Sequence, residues 1–282
     1  MKQIKIGDVS APVLGQGAWA IGDHAEAEAN ETEALTAGIK NGMTLIDTAE
    51  LYGDGLSETL IGGVISRVSR RDLYIVSKVL PQNVLSGRIR ESCDNSLKRL
   101  KTDYLDLYLL HWRDQVDLAK TVREMEGLKL AGKIKNWGVS NFDTADMQDL
   151  FSVKDGGKCA ANQVLYHAAS RGIEYDLMPW CEKNKVTVMA YCPLAQAGRI
   201  MRGILENPVL KQIAAKHNAT AAQVMLRFCI RGGNVIAIPK SGNRAHTLDN
   251  ARAADLTLDS EDLAAIDAEF PPPTRKLPLD FE

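Results

Sequence analysis

The feature that most constrains this chain is an unbroken alternation of short apolar runs and helix-patterned stretches. It opens with a hairpin pattern over 3–13, turning at Gly7-Asp8, and a short extended piece from Leu14 to Gly17. Extended runs then recur at 44–46, 73–78, 104–112, 133–139, 160–164, 186–191 and 235–239. Between and after them, apolar residues fall at helical spacing over 30–40, 57–68, 88–100, 117–131, 173–184, 203–217, 221–231, 244–254 and 259–268. Counted from Leu14, this reads as eight strand-then-helix units with no composition shift to mark a linker. Length alone leaves two domains open, but 282 residues also suit one barrel of roughly 250. The expectation is therefore an α/β chain folded as one domain over 1–282, a (β/α)8 TIM barrel. The N-terminal hairpin caps one end, and accessory helices lie toward the C-terminus before a Pro-rich tail.

Composition excludes several functions. A formal net charge of −2 with 25% charged residues offers no electrostatic reason to bind nucleic acid or a membrane surface. The opening MKQIKIGD lacks the apolar core of a leader, and no apolar run approaches the ~18 residues of a span. Five scattered cysteines without a CxxC pair suit a reducing cytoplasm. Histidines at 24, 111, 167, 217 and 246 are too dispersed to announce a metal site, so none is expected.

In a parallel barrel the chemistry sits where strands end. The stretch TLIDTAELYGDGLSE, 44–58, turns polar at Asp47 and reaches Tyr52 just before Gly53 and Gly55. The next strand ends in Lys78 and the one after it in His111-Trp112. Ser140 and Asn141 end the fifth strand, Gln163 lies near the end of the sixth, Tyr191 ends the seventh, and Lys240-Ser241 follow the eighth. Singly, a strand-end lysine is commonly a solvated charge and a lone histidine structural. Four polar types at the ends of three adjacent strands are harder to dismiss.

The motifs DTAELYG (47–53), Lys78, LLHW (109–112), WGVSNF (137–142), NQ (162–163) and IPKS (238–241) resemble the aldo-keto reductases. They occur in order across almost the whole chain. MAYCPLAQAGR (189–199) and the compact length are similar to the bacterial branch that reduces methylglyoxal and other small aldehydes. The resemblance implies reduction of a small carbonyl substrate by hydride from NADPH, with Asp47, Tyr52, Lys78 and His111 as the catalytic set. The residue types suit those roles. An alkoxide needs a proton, and a phenol with a pKa of ~10 is a weak acid that a neighbouring ammonium lowers. Lys78 would tune Tyr52, Asp47 would hold Lys78, and His111 would orient the carbonyl or share the proton.

The resemblance further implies a substrate pocket lined by Trp19, Tyr52, His111 and Trp112. It implies cofactor contacts from Ser140, Asn141 and Gln163 to the carboxamide, from Tyr191 to the nicotinamide face, and from Leu194. In IPKSGNRAHTLDN (238–250), Lys240, Ser241, Asn243 and the start of the following helix would hold the 2′-phosphate, and Asp249 with Asn250 the adenine. His246 stands where many relatives carry arginine. Imidazole stacks but forms no bidentate fork, so NADPH is expected over NADH with a weakened preference, Arg244 standing nearby. A competing pattern, Gly15-Gln16-Gly17-Ala18-Trp19-Ala20, fits a Rossmann fingerprint superficially, but no helix follows at its second glycine. A nicotinamide-binding sensor subunit with slow turnover is the alternative. Short loops predict an open, tolerant pocket, and the chain is expected to be monomeric.

Overall fold

A computed structural model describes residues 1–196 and 198–281 of the chain. Ala197, inside the MAYCPLAQAGR run, and Glu282, the last residue of the Pro-rich tail, lie outside the described residues. A hairpin comes first, β1 (Gln3–Ile6) and β2 (Val9–Pro12), paired antiparallel around Gly7. Then follow β3 (Gln16–Gly17), β4 (Leu45–Asp47), β5 (Tyr74–Val79), β6 (Leu105–Leu110), β7 (Ile134–Ser140), β8 (Ala161–Leu165), β9 (Thr187–Tyr191) and β10 (Val235–Ala237). These eight pair in parallel in sequence order. The ring closes where Gly15 N donates to Ala237 O at 2.9 Å and Gly17 N to Pro239 O at 3.0 Å. This is the expected (β/α)8 barrel.

Strands covered on both faces must be apolar nearly throughout, and every residue of β5 (YIVSKV) and β6 (LDLYLL) is buried. Leu45, Tyr74, Val76, Leu107, Leu109, Ala161, Met189 and Ile236 fill the inside of the barrel. Ile6 and Ala11 of the hairpin join that inner cluster. Asn136 Nδ2 donates to Asp8 Oδ1 at 2.8 Å, and Thr187 Oγ1 donates to Lys5 O at 2.8 Å. Both side chains lie near the beginnings of their strands, so the hairpin plugs the N-terminal end, as expected. The strands' C-terminal ends are left for chemistry.

The helices are α1 (Glu28–Lys40), α2 (Leu56–Ile65), α3 (Pro81–Leu85), α4 (Ile89–Leu100), α5 (Leu118–Leu130), α6 (Thr144–Ser152) and α7 (Leu177–Lys183), then α8 (Arg199–Leu205), α9 (Pro208–Lys216), α10 (Ala221–Cys229), α11 (Arg244–Arg252) and α12 (Ser260–Glu269). Their apolar faces and the outer faces of the strands make the larger core. Three differences from expectation have local causes. The helical pattern over 203–217 is two helices, because Pro208 starts α9 and Asn207 caps it, its Oδ1 accepting from Val209 N at 2.9 Å. The short α3 also begins on a proline and lies between β5 and α4. Helix α6 fills the fifth unit, where no helix was expected. It buries only Met147 and Leu150 and is defined by a capping box between Asp143 and Asp146.

Candidate active site

β4 ends at Asp47, and the next eight residues bring a phenol back over the mouth. Gly53 (φ 56°), Asp54 (φ 50°) and Gly55 (φ 91°) are all left-handed, a sequence of turns that glycine makes accessible. Tyr52, just before them, is buried. Lys78 comes from β5 and is fully buried. Its ammonium has three hydrogens and three acceptors: Asp47 Oδ2 at 2.7 Å, Thr48 O at 2.8 Å and Tyr52 Oη at 3.0 Å. Because Lys78 donates to the phenol oxygen, the phenol's own hydrogen is left for an acceptor in the mouth. His111 follows β6 directly and is tied to β5 by His111 N donating to Val79 O at 2.9 Å.

Burial pushes the Tyr52 phenol above its ordinary value; the Lys78 ammonium pulls it down without overcoming burial. Lys78 therefore offsets part of the effect of burial without bringing the phenol below its ordinary pKa, and Tyr52 is a protonated phenol at neutral pH. Burial also opposes the charge on Lys78, but Asp47 and Tyr52 together outweigh it and hold the lysine above its ordinary value. For His111 both influences act in one direction: burial, then the Lys78 charge, push it down to about 3. The imidazole is neutral, and its Nδ1 is buried without a hydrogen-bond partner among the described residues. A neutral imidazole suits hydrogen bonding to a carbonyl and does not suit giving up a proton as imidazolium.

The rings at the mouth touch in sequence. Trp19 meets Tyr52 edge-on at 5.0 Å, Tyr52 meets His111 at 5.9 Å, and His111 meets Trp112 at 5.1 Å. Trp19 is 59% exposed, so its ring is open to a ligand and does not serve as core packing. Beside this wall, Ser140, Asn141, Gln163 and Tyr191 form one network. Ser140 Oγ donates to Gln163 O at 2.8 Å, Asn141 N to the same oxygen at 2.9 Å, and Tyr191 Oη to Asn141 Oδ1 at 2.9 Å. Leu194 packs, partly buried, against the outer core.

Away from these groups, the start of α11 is capped by Asn243, whose Oδ1 accepts from His246 N at 3.1 Å. Ser241 Oγ accepts from Asn243 N at 3.1 Å. Lys240 is exposed beside this helix start, and Arg244 Nε lies 3.3 Å from Glu33 Oε1 on α1. His246 is exposed on the first turn, Asp249 pairs with Arg252 at 3.1 Å, and Asn250 is buried. The arrangement offers a cationic helix N-terminus at one place and a buried proton donor beside a lysine at another.

Comparison with known proteins decides the family. The model of the aldo/keto reductase family matches residues 13–269. This chain is an aldo/keto reductase. It is 50% identical to methylglyoxal reductase YeaE of Escherichia coli over 275 residues, 98% of this chain and 96% of that protein. It is 37% identical to the glyoxal reductase of Bacillus subtilis, covering 92% of this chain and 89% of that one. A solved aldo/keto reductase from Klebsiella pneumoniae in complex with NADP and acetate superposes with a TM-score of 0.97 at 48% identity, covering 100% and 99% of the two chains.

Sequence reasoning overlooked parts of this aldo/keto reductase's site. Thr48 supplies a backbone acceptor to Lys78, which no residue-type argument reveals. Glu50 accepts from Leu80 N at 2.7 Å and from Asn83 Nδ2 at 2.9 Å, fixing the loop after β5 to the Tyr52 loop. Glu31 holds the loop that carries Trp19 by accepting from Gly22 N at 2.9 Å. Gln163 reaches Asp47, Nε2 to Oδ1 at 2.7 Å across 116 residues of sequence. Elsewhere His217, Asp259 and Asp262 lie together, with the Lys216 ammonium donating to both carboxylates at 2.6 and 2.9 Å and His217 Nε2 2.6 Å from Asp262 Oδ2.

Proposed function

We propose that this chain reduces small aldehydes and 2-oxoaldehydes, methylglyoxal among them, to alcohols with NADPH. The observation that carries the reading is the fully buried Lys78, donating at once to Asp47 and to the Tyr52 phenol. The names of the relatives, a methylglyoxal reductase and a glyoxal reductase, support the substrate class. The residues present suit the cofactor. Lys240, Arg244, Ser241 and the N-terminus of α11 would hold the adenosine 2′-phosphate, Asp249 and Asn250 the adenine, with His246 stacking nearby. Ser140, Asn141 and Gln163 would hold the carboxamide, and Tyr191, with Leu194 nearby, the nicotinamide face.

When bound, the reduced nicotinamide supplies a hydride. His111, neutral, donates a hydrogen bond to the substrate carbonyl and orients it. Tyr52 gives its proton to the carbonyl oxygen as that oxygen becomes an alkoxide, a far stronger base than a phenolate. Lys78 stabilises the phenolate left behind, which is why an ammonium beside the phenol matters even though burial keeps that phenol protonated beforehand. Asp47 holds Lys78 in place. Trp19 and Trp112 wall the carbonyl away from water.

The decisive experiment follows the loss of NADPH absorbance with an aldehyde panel that includes methylglyoxal. Turnover with small aldehydes and a higher kcat/KM for NADPH than for NADH are expected. Tight NADPH binding with negligible turnover on the whole panel would replace this reading with a cofactor-sensing role.

A further inference from the structure

Asp47 is buried, and each of its oxygens has its own donor: Lys78 on Oδ2, and Gln163 on Oδ1 at 2.7 Å. Gln163 lies on β8, four strands from β4 in either direction around the ring, so this bond crosses the mouth from the opposite wall. A carboxylate only accepts, so the Gln163 amide must present its NH2 group to Asp47, and its carbonyl oxygen is directed elsewhere. The main chain at Gln163 is held in turn by Ser140 Oγ and Asn141 N, both donating to its carbonyl. An assignment of Gln163 to the carboxamide alone does not account for this bond.

We propose that Gln163 is a positioning residue for the proton donor, fixing Asp47 from across the barrel so that Asp47 in turn fixes Lys78 against Tyr52. The inference rests on the reductase reading for its consequence in turnover. Its structural content, a coupling between positions 163 and 47, belongs to the cofactor-free protein as well. The carbonyl end of the same amide then suits the NH2 of a carboxamide, so one side chain joins the cofactor end of the site to the acid end. The titratable groups facing Asp47 and Tyr52 are Lys78 from β5, His111 after β6 and Cys192 after β9; Ser140, Asn141 and Gln163 carry no charge.

Gln163→Glu distinguishes this from simple carboxamide binding. Two carboxyl groups at hydrogen-bond distance share one proton, and the pair titrates as a unit with its upper pKa raised. At low pH the introduced carboxyl still donates to Asp47. As pH rises it ionises, repels Asp47 and draws the ammonium away from Tyr52. With saturating NADPH, kcat is expected to fall as pH rises across about pH 5–9, by about tenfold per unit above that pKa. In the cofactor-free protein, urea stability relative to wild type is expected to fall over the same range, since a group whose folded pKa is raised loses its contribution as pH increases. Gln163→Met, which adds no charge, is expected to lower kcat about tenfold or more without the pH-dependent fall of Gln163→Glu. If both variants change only the KM for NADPH, with wild-type kcat, pH profile and pH-dependent stability, the inference is overturned. Wild-type turnover in Tyr52→Phe would instead defeat the reductase reading, and the stability measurement would still decide the 163–47 coupling.

Discussion

Every hydrogen of the Lys78 ammonium has a buried acceptor, so removing this one side chain has two separable effects. Lys78→Met leaves Asp47 in the interior without its ion-pair partner, and loss of one member of a buried pair costs about 3–5 kcal/mol. Urea denaturation should show that loss, and adding Asp47→Asn should restore part of it; turnover should stay low in both. Tyr52→Phe keeps ring and packing but leaves one Lys78 hydrogen without its acceptor, so it should cost no more than about 1–3 kcal/mol of stability, while kcat drops by about 10²–10⁴, the usual contribution of a positioned acid. His111 makes a prediction in pH. Its folded-state value of about 3 lies below the ~6.5 of an unfolded histidine, so its contribution to stability is complete above pH ~6.5 and is lost as pH falls toward 3. Unfolding free energy should therefore decline between about pH 7 and pH 5, and His111→Gln should flatten that decline. The identities and strand-end positions of these residues were legible in DTAELYG, LYIVSK and LLHW. The outcome of the contest at Tyr52 was not, because burial exists only after packing and here outweighs the lysine.

At the scale of elements, α2 and α4 meet at a close approach set by one glycine. A Cβ at Gly62 would lie 2.2 Å from the backbone oxygen of Arg99, whereas at Gly63 it would meet nothing within 4 Å. The two residues are neighbours on one helix, so propensity treats them alike and packing does not. Gly62→Ala should destabilise by about 1–3 kcal/mol, as overpacking does. Gly63→Ala should be neutral or stabilise by up to about 1 kcal/mol through the unfolded chain. Urea midpoints of the two variants check this, and equal shifts would show that the helices slide apart freely. The same distinction explains which elements were legible. Strands β5 and β6 announce themselves through long apolar runs that the barrel buries, and α11 through its helical spacing. Helix α6 escaped because it buries only Met147 and Leu150 fully, with Phe151 partly buried against the core, and its capping box of two aspartates precedes a mostly polar stretch. The break between α8 and α9 was written in Asn207-Pro208, a stop-and-start signal that an apolar pattern running through it concealed.

At the scale of the whole molecule, the barrel closes at a short seam. β3 has only two residues, and beyond their pairing with β4 the ring is completed by a few bonds from 13–17 to 237–239. The proposed phosphate site begins one residue past that seam, at Lys240, whose neighbour across it is Gly17. A ligand held by Lys240, Ser241 and the start of α11 therefore binds an element the barrel needs in order to stay closed, and binds it only in the folded state. At a hundred times its Kd such a ligand stabilises by about 2.7 kcal/mol, which for a chain of this size is a rise in Tm of about 5 °C. Lys240 is exposed at the proposed phosphate site, which it would share with Ser241, Arg244 and the start of α11, so its loss should weaken chiefly the cofactor that carries a 2′-phosphate. In Lys240→Ala the thermal shift produced by NADPH should fall toward that produced by NADH at equal concentration, the NADH shift and the cofactor-free Tm remaining at wild-type values. Equal loss of both shifts would mean that Lys240 supports the seam itself, and the phosphate would then have to be held by Arg244 and the helix terminus without it.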